Sequence, residues 1–213
     1  MRFAKAFFSV LLYLIIWGAI LLLPALFVEP EIIAIAAAIC FPFIVGLLFP
    51  YMNWVAKRVF RYPGTGAPVS LEKLKNAILE INQWDVPVRV QEKKDRLLVS
   101  WNYVDAKWWE ILAKSGMKQV YELHLKFNDK RKYVTLIDVK KSVKWRAGPG
   151  QVKISGGYFR GVDLTYERAI AYAITEAYQF GKVYDYRFKT SEIKDPVLNT
   201  INQLGWEARM GLY

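Results

Sequence analysis

Two long uncharged stretches, separated by three residues, constrain this chain more than anything else in it. From Ala6 to Val28 there are 23 consecutive residues without a formal charge, and from Ile32 to Ala56 there are 25. Each exceeds the ~20 residues that an α-helix needs to cross a bilayer core. Only Glu29, Pro30 and Glu31 lie between them, so the chain has to reverse at once, with two carboxylates held at the far interface. The reading is a membrane α-helical hairpin of two transmembrane helices. A cleaved secretory signal fits less well: the apolar run is longer than the usual ~7–15-residue core, no small-x-small cleavage site follows it, and a second apolar segment begins immediately.

Arg2 and Lys5 precede the first stretch, and Lys57, Arg58 and Arg61 follow the second, against no Lys or Arg in the turn. The positive-inside bias then puts both termini in the cytoplasm, with the protein multi-pass in the cell inner (plasma) membrane. Within the spans, Ala34 and Ala38 form a small-xxx-small pair, and Gly18 and Gly46 offer further close-approach points for a neighbouring helix. That pattern serves either to pack the hairpin on itself or to join it to another copy. Pro42, farthest from the helix ends, is the expected kink. No Asp, Glu, Lys, Arg or His interrupts either stretch, which weighs against a transporter, since proton and ion pathways usually carry one.

The apolar share of 54% is above the usual level of about 45–50%, and its excess is concentrated in the first 56 residues, which splits the chain into a hairpin (1–61), a linker (62–69) rich in turn formers, and a soluble domain (70–213). In the domain, Ser70 caps a helix over 71–83 carrying Leu71, Leu74, Ile78 and Ile81. Val86, Val88 and Val90 alternate, as do Leu97, Val99, Trp101 and Tyr103, giving a hairpin turned at Glu92–Asp95. A second hairpin runs from Tyr121–Phe127 through Asn128–Arg131 into Tyr133–Val139, continues to Trp145, and resumes over Val152–Ile154 before Gly156 and Gly157. Further elements are a short helix with Trp108 and Trp109, a helix over 166–180, a strand over Tyr184–Phe188, and a last helix opened by Asp195-Pro196 and stopped at Gly205. The sum is an α+β domain: an antiparallel sheet of five or six strands with helices on one face.

The domain's positive charge is localised. Ten of its basic residues fall between Lys126 and Arg160, against two acidic ones, Asp129 and Asp138, while the rest of the domain is balanced. Lys140, Lys144 and Arg146 fall on one face of an ideal strand. With Trp145, and with Lys130, Arg131 and Lys132 at the preceding turn, they form a candidate surface for an anionic lipid leaflet or an acidic partner. Nucleic acid is a third possibility, although no recognised motif accompanies the charge.

Signals for chemistry are weak. His124 is the only histidine and Cys40 the only cysteine, so no cofactor or metal is expected. Ser70-Leu71-Glu72-Lys73 matches Ser-x-x-Lys but lacks both companion motifs of acyl-serine enzymes. Gly156 and Gly161 have phosphate-loop spacing but are followed by Val162-Asp163, where Lys and Ser or Thr are needed. The expected function is a non-enzymatic assembly or scaffold subunit of a larger inner-membrane complex, such as a secretion or transfer machine. A homo-oligomeric pore is the alternative, and a membrane-surface enzyme or lipid-binding module a third reading.

Overall fold

The computed structural model describes residues 2–84, 86, 88–101, 119–145, 152–162 and 190–213. The chain forms two compact units, residues 1–60 and 61–213.

The first unit is a pair of antiparallel helices, α1 (Arg2–Leu22) and α2 (Pro30–Val59), both long and apolar enough to cross a membrane. At 1.5 Å per residue they measure about 32 and 45 Å, against a hydrocarbon core of ~30 Å. The reversal is longer than the three residues expected. Pro24 has no N–H to continue the ladder, so α1 gives way to a 3-10 turn over Leu23–Leu26. Glu29 then precedes Pro30 at the first turn of α2, which Glu31 joins. An acidic residue there suits the positive end of the helix dipole. Helix α2 continues through both Pro42 and Pro50.

The second unit is built on a seven-stranded mixed sheet. It comprises β1 (Arg61–Tyr62), β2 (Val88–Lys93), β3 (Arg96–Trp101), β4 (Gln119–Asn128), β5 (Tyr133–Trp145), β6 (Val152–Gly161) and β7 (Glu207–Met210). The order is β1-β7-β5-β4-β3-β2, with β6 also pairing β5. Both expected hairpins form, β2–β3 and β4–β5. The sheet is not purely antiparallel, because β7 runs parallel to the first half of β5 while β6 runs antiparallel to its second half. Nor do Gly156 and Gly157 end β6: they fall at a register shift, where Lys141 pairs Tyr158 and Val143 pairs Ile154, and glycine suits such a bulge.

Helix α3 (Leu71–Leu79) begins at Ser70, whose Oγ accepts from the Lys73 N–H at 3.3 Å, and passes into a 3-10 turn at Glu80. Helix α4 (Thr190–Gln203) starts five residues earlier than Asp195-Pro196 implied. Pro196 is therefore internal, and the Thr200 hydroxyl donates to its carbonyl at 2.9 Å. The helix stops at Gly205, φ +79°. Leu74, Ile78, Ile193, Val197 and Ile201 from the helices join Val90, Val99, Leu123, Leu125, Leu136 and Trp206 in the core. Ile137 and Val139, on the opposite face of β5, are also fully buried, so that face is not a plain solvated surface.

Residues 62–69 are no loose linker. The Thr65 N–H donates to the Asn202 carbonyl at 2.7 Å, the Val69 N–H to Leu204 at 3.1 Å, and the Trp206 indole to the Val69 carbonyl at 2.9 Å. The expected helices around Trp108–Trp109 and 166–180, and the strand at Tyr184–Phe188, lie outside the described residues.

Candidate functional site

The seam of the helix pair is tyrosine-rich. The Tyr13 hydroxyl donates to the Ile44 carbonyl and the Tyr51 hydroxyl to the Ser9 carbonyl, both at 2.8 Å, and the two rings stack with centroids 4.7 Å apart. Each hydroxyl thereby finds an acceptor between two apolar helices, where a bare one is costly. Along α2, Ile33, Ala37, Cys40, Ile44, Leu48 and Tyr51 are partly covered, a spacing of three and four that keeps one face on α1. Ala34 and Ala38 lie off this seam and are exposed. Gly18 and Gly46 have open space where a Cβ would stand. None of the four small residues is a point of close approach within the pair.

In the second unit the described basic residues singled out from the sequence fall at two places, the β4–β5 turn and the second half of β5. Lys130 and Arg131 are exposed at the β4–β5 turn. Lys132 is a structural residue of that turn: it takes φ +49°, pairs with Asp129 at 2.5 Å, and lies 5.1 Å from the Trp206 ring centroid. Lys140 sits in the middle of β5, half-buried, opposite Tyr121 and thus on the face that carries α4. The backbone of Lys144 and Trp145 pairs with Lys153 and Val152, and Arg146 lies outside the described residues.

Two polar clusters are assembled instead. On the helix-bearing face, Asp138 of β5 accepts from the Tyr121 hydroxyl through Oδ1 and from the Lys194 ammonium through Oδ2, each at 2.5 Å. Lys194 and Asp138 are completely buried. An ion pair removed from water survives only when its hydrogen bonds are satisfied, and here it fastens α4 to the central strand. On the opposite face, Glu122 of β4 is held between His124 Nε2 at 3.0 Å and Lys141 Nζ at 2.6 Å. Burial opposes ionisation of Glu122, but the hydrogen bonds from His124 and Lys141 outweigh it and hold the carboxyl below its ordinary range. His124 Nδ1 is buried without a hydrogen-bond partner.

The first cluster had a sequence signal: Asp138 interrupts the apolar run Leu136-Ile137-Asp138-Val139, and a carboxylate there needs a partner. Lys194 carried no signal, because its helix was expected to begin after it. Ser70 is a helix cap, and the Gly156–Gly161 segment is strand rather than a loop leading into a helix. Among the described residues no group of three or more His, Cys, Asp or Glu is placed to hold a metal. Comparison with protein-family models, with curated proteins and with solved structures finds no match.

Proposed function

We propose that the chain is a membrane-anchored, non-enzymatic assembly subunit, held in the inner membrane by α1 and α2 and joined laterally to other helices through the Ala34–Ala38 face of α2. The observation that carries this is the outward placement of both alanines. Small residues let helix backbones approach closely where lipid tails offer no hydrophobic driving force, and this pair is not spent on the hairpin's own seam. Supporting the membrane placement, Phe7, Phe8, Ile15, Phe41, Phe43 and Phe49 are all largely exposed, a surface too apolar for water. Arg2, Lys5, Lys57 and Arg58 belong to one end of the antiparallel pair and Glu29 and Glu31 to the other, which favours cytoplasmic termini. Trp54, with the Arg58 guanidinium 5.4 Å from its ring centroid, suits an interfacial belt at the basic end.

The test is purification of the tagged full-length protein from its native membrane in mild detergent, with the mass of the complex. Other subunits in fixed ratio, lost when Ala34 and Ala38 are both changed to Leu, support the reading. A monomer whose mass the changes leave unaltered rejects it. The same outward face also suits a homo-oligomeric pore, for which self-assembly alone and conductance in reconstituted bilayers are the expected results.

A further inference from the structure

We infer that a row of basic side chains running across the sheet binds the anionic headgroups of the adjacent membrane leaflet; this rests on the reading of α1 and α2 as membrane-spanning. The row is a product of register. Arg96 of β3 stands opposite Lys126 of β4, Lys126 opposite Thr135 of β5, Thr135 opposite Arg209 of β7, and Arg209 opposite Arg61 of β1. Directly opposed residues project from the same face, so four cations and one threonine form a line across five strands. At about 4.8 Å per strand it is roughly 19 Å long. It lies on the face away from Asp138 and α4.

The charges of the described residues do not cancel. Glu207 bridges Arg61 at 2.7 Å and Arg209 at 2.5 Å, and Asp95 pairs with Arg96 at 2.7 Å. Among the described residues two carboxylates stand against four cations, an excess of two. Half of the Arg61 side chain is exposed, as is about a quarter of Arg96 and of Arg209. Lys126 stands half-buried between the two ion-paired ends. The exposed Lys130 and Arg131 at the adjoining turn extend the positive field.

Connectivity selects the ligand. Arg61 directly follows Phe60, the C-cap of α2, so one Cα–Cα step of about 3.8 Å ties the end of the row to the end of a helix that leaves the bilayer. Headgroup phosphates are present at that level at high local concentration, whereas a polyanion must be recruited from solution. Nor does the row offer a platform for bases. Tyr133, the aromatic neighbour on this face, is already covered by the Arg209 guanidinium, 4.0 Å from its ring centroid, and base stacking needs an open ring.

The test uses the full-length protein reconstituted in phosphatidylcholine bilayers and compares the immobilised fractions of spin-labelled phosphatidylglycerol and spin-labelled phosphatidylcholine by electron paramagnetic resonance. The expected result is a preference for the anionic label that falls up to about fivefold in Lys126→Gln, falls further in Lys126→Glu, and weakens with added salt, with an unchanged circular dichroism spectrum. An immobilised component with no preference, or with a preference that both variants retain, overturns this inference alone. Lys126-dependent binding of a labelled oligonucleotide, with lipid preference independent of Lys126, overturns it in favour of nucleic acid. No immobilised component from either label overturns the membrane-spanning reading as well.

Discussion

The Lys194 ammonium lies 2.5 Å from a carboxylate oxygen of Asp138, and both side chains are completely buried. The pair joins the central strand to the helix that leads into β7, the strand on which the parallel edge of the sheet depends. Taking the carboxylate away from a buried ammonium costs far more than the pair contributes relative to an apolar substitute. Asp138→Ala is expected to lower stability by about 3–5 kcal/mol, read from the denaturant midpoint of the full chain in detergent. The triple change Tyr121→Phe, Asp138→Leu, Lys194→Met removes every polar member together and is expected to regain most of the loss. A triple variant as unstable as Asp138→Ala would show that the network is needed for more than mutual satisfaction.

Acid sensitivity follows from two carboxylates. Burial opposes ionisation of Glu207, but hydrogen bonds from Arg61 and Arg209 outweigh it, so its carboxyl, like that of Glu122, titrates below the ordinary glutamate range. A folded-state value below the unfolded one means that the unfolded chain binds more protons in acid. The stabilisation is complete above the unfolded value, about 4.3, and is lost as pH falls through the folded value. Replacing either residue with Gln is expected to remove up to one proton from the acid limb of the stability profile, leaving its slope at neutral pH unchanged. An unaltered acid limb in both variants would contradict the assignment.

Gly64 and Gly205 are pressed together where the chain enters the sheet. A Cβ on Gly64 would stand 2.4 Å from the Gly205 carbonyl carbon, and one on Gly205 would meet Ala67 backbone at 2.5 Å, at a φ of +79°. Backbone cannot rotate out of the way as a side chain can, so Gly64→Ala is expected to cost about 1–3 kcal/mol through overpacking. Gly66→Ala, at φ +81° but in open space, tests backbone strain alone and is expected to cost about 1–2 kcal/mol. Equal thermal midpoints for wild type and Gly64→Ala would show that the contact yields.

How much of this was legible depended on range. The hairpins β2–β3 and β4–β5 could be read because Val88, Val90, Leu97 and Val99, and Leu123, Leu125, Leu136 and Val134, alternate over several residues and turn at polar clusters. β1 and β7 could not: Arg61–Tyr62 and Glu207–Met210 are too short to show a period, and their pairing is set by α4 and by the Thr65 and Val69 backbone bonds. The stripe of Lys140, Lys144 and Arg146 rested on one strand read in isolation. The cross-strand row depends on a register between segments far apart in the chain, which local pattern does not encode.

Among the described residues β2 ends the sheet, and its outer edge is met at one point by a side chain. Asn82 donates to the Val90 carbonyl at 2.9 Å and accepts from the Val90 N–H at 2.8 Å, standing in for the next strand. Open edges invite pairing with other chains. Asn82→Ala is expected to lose about 1–3 kcal/mol for the two backbone groups left without this partner and to aggregate faster on mild heating, followed by light scattering. Asn82→Asp retains the acceptor but not the donor and should lie between. Wild-type aggregation rates in both variants would show that the edge is protected by other means.

The two faces of α2 should respond differently to substitution. Tyr51 of α2 bonds to the Ser9 carbonyl of α1 and Tyr13 of α1 to the Ile44 carbonyl of α2, whereas Ala34 and Ala38 are exposed off this seam. If α1 and α2 span a membrane as proposed, Tyr13→Phe and Tyr51→Phe should each weaken the pair by about 0.6 kcal/mol, the usual worth of such a bond between membrane helices, without altering the mass of the detergent-solubilised protein. Ala34→Leu with Ala38→Leu should do the reverse: the added bulk meets no atom of α1, so the hairpin keeps its seam, while any neighbouring helix is pushed out by the new side chains. Disulfide trapping between cysteines introduced across the α1–α2 seam reports the first effect, and light scattering of the detergent-solubilised protein the second. If the alanine variant loses the trapped hairpin but keeps its mass, the small residues serve the hairpin and lateral assembly must use another surface.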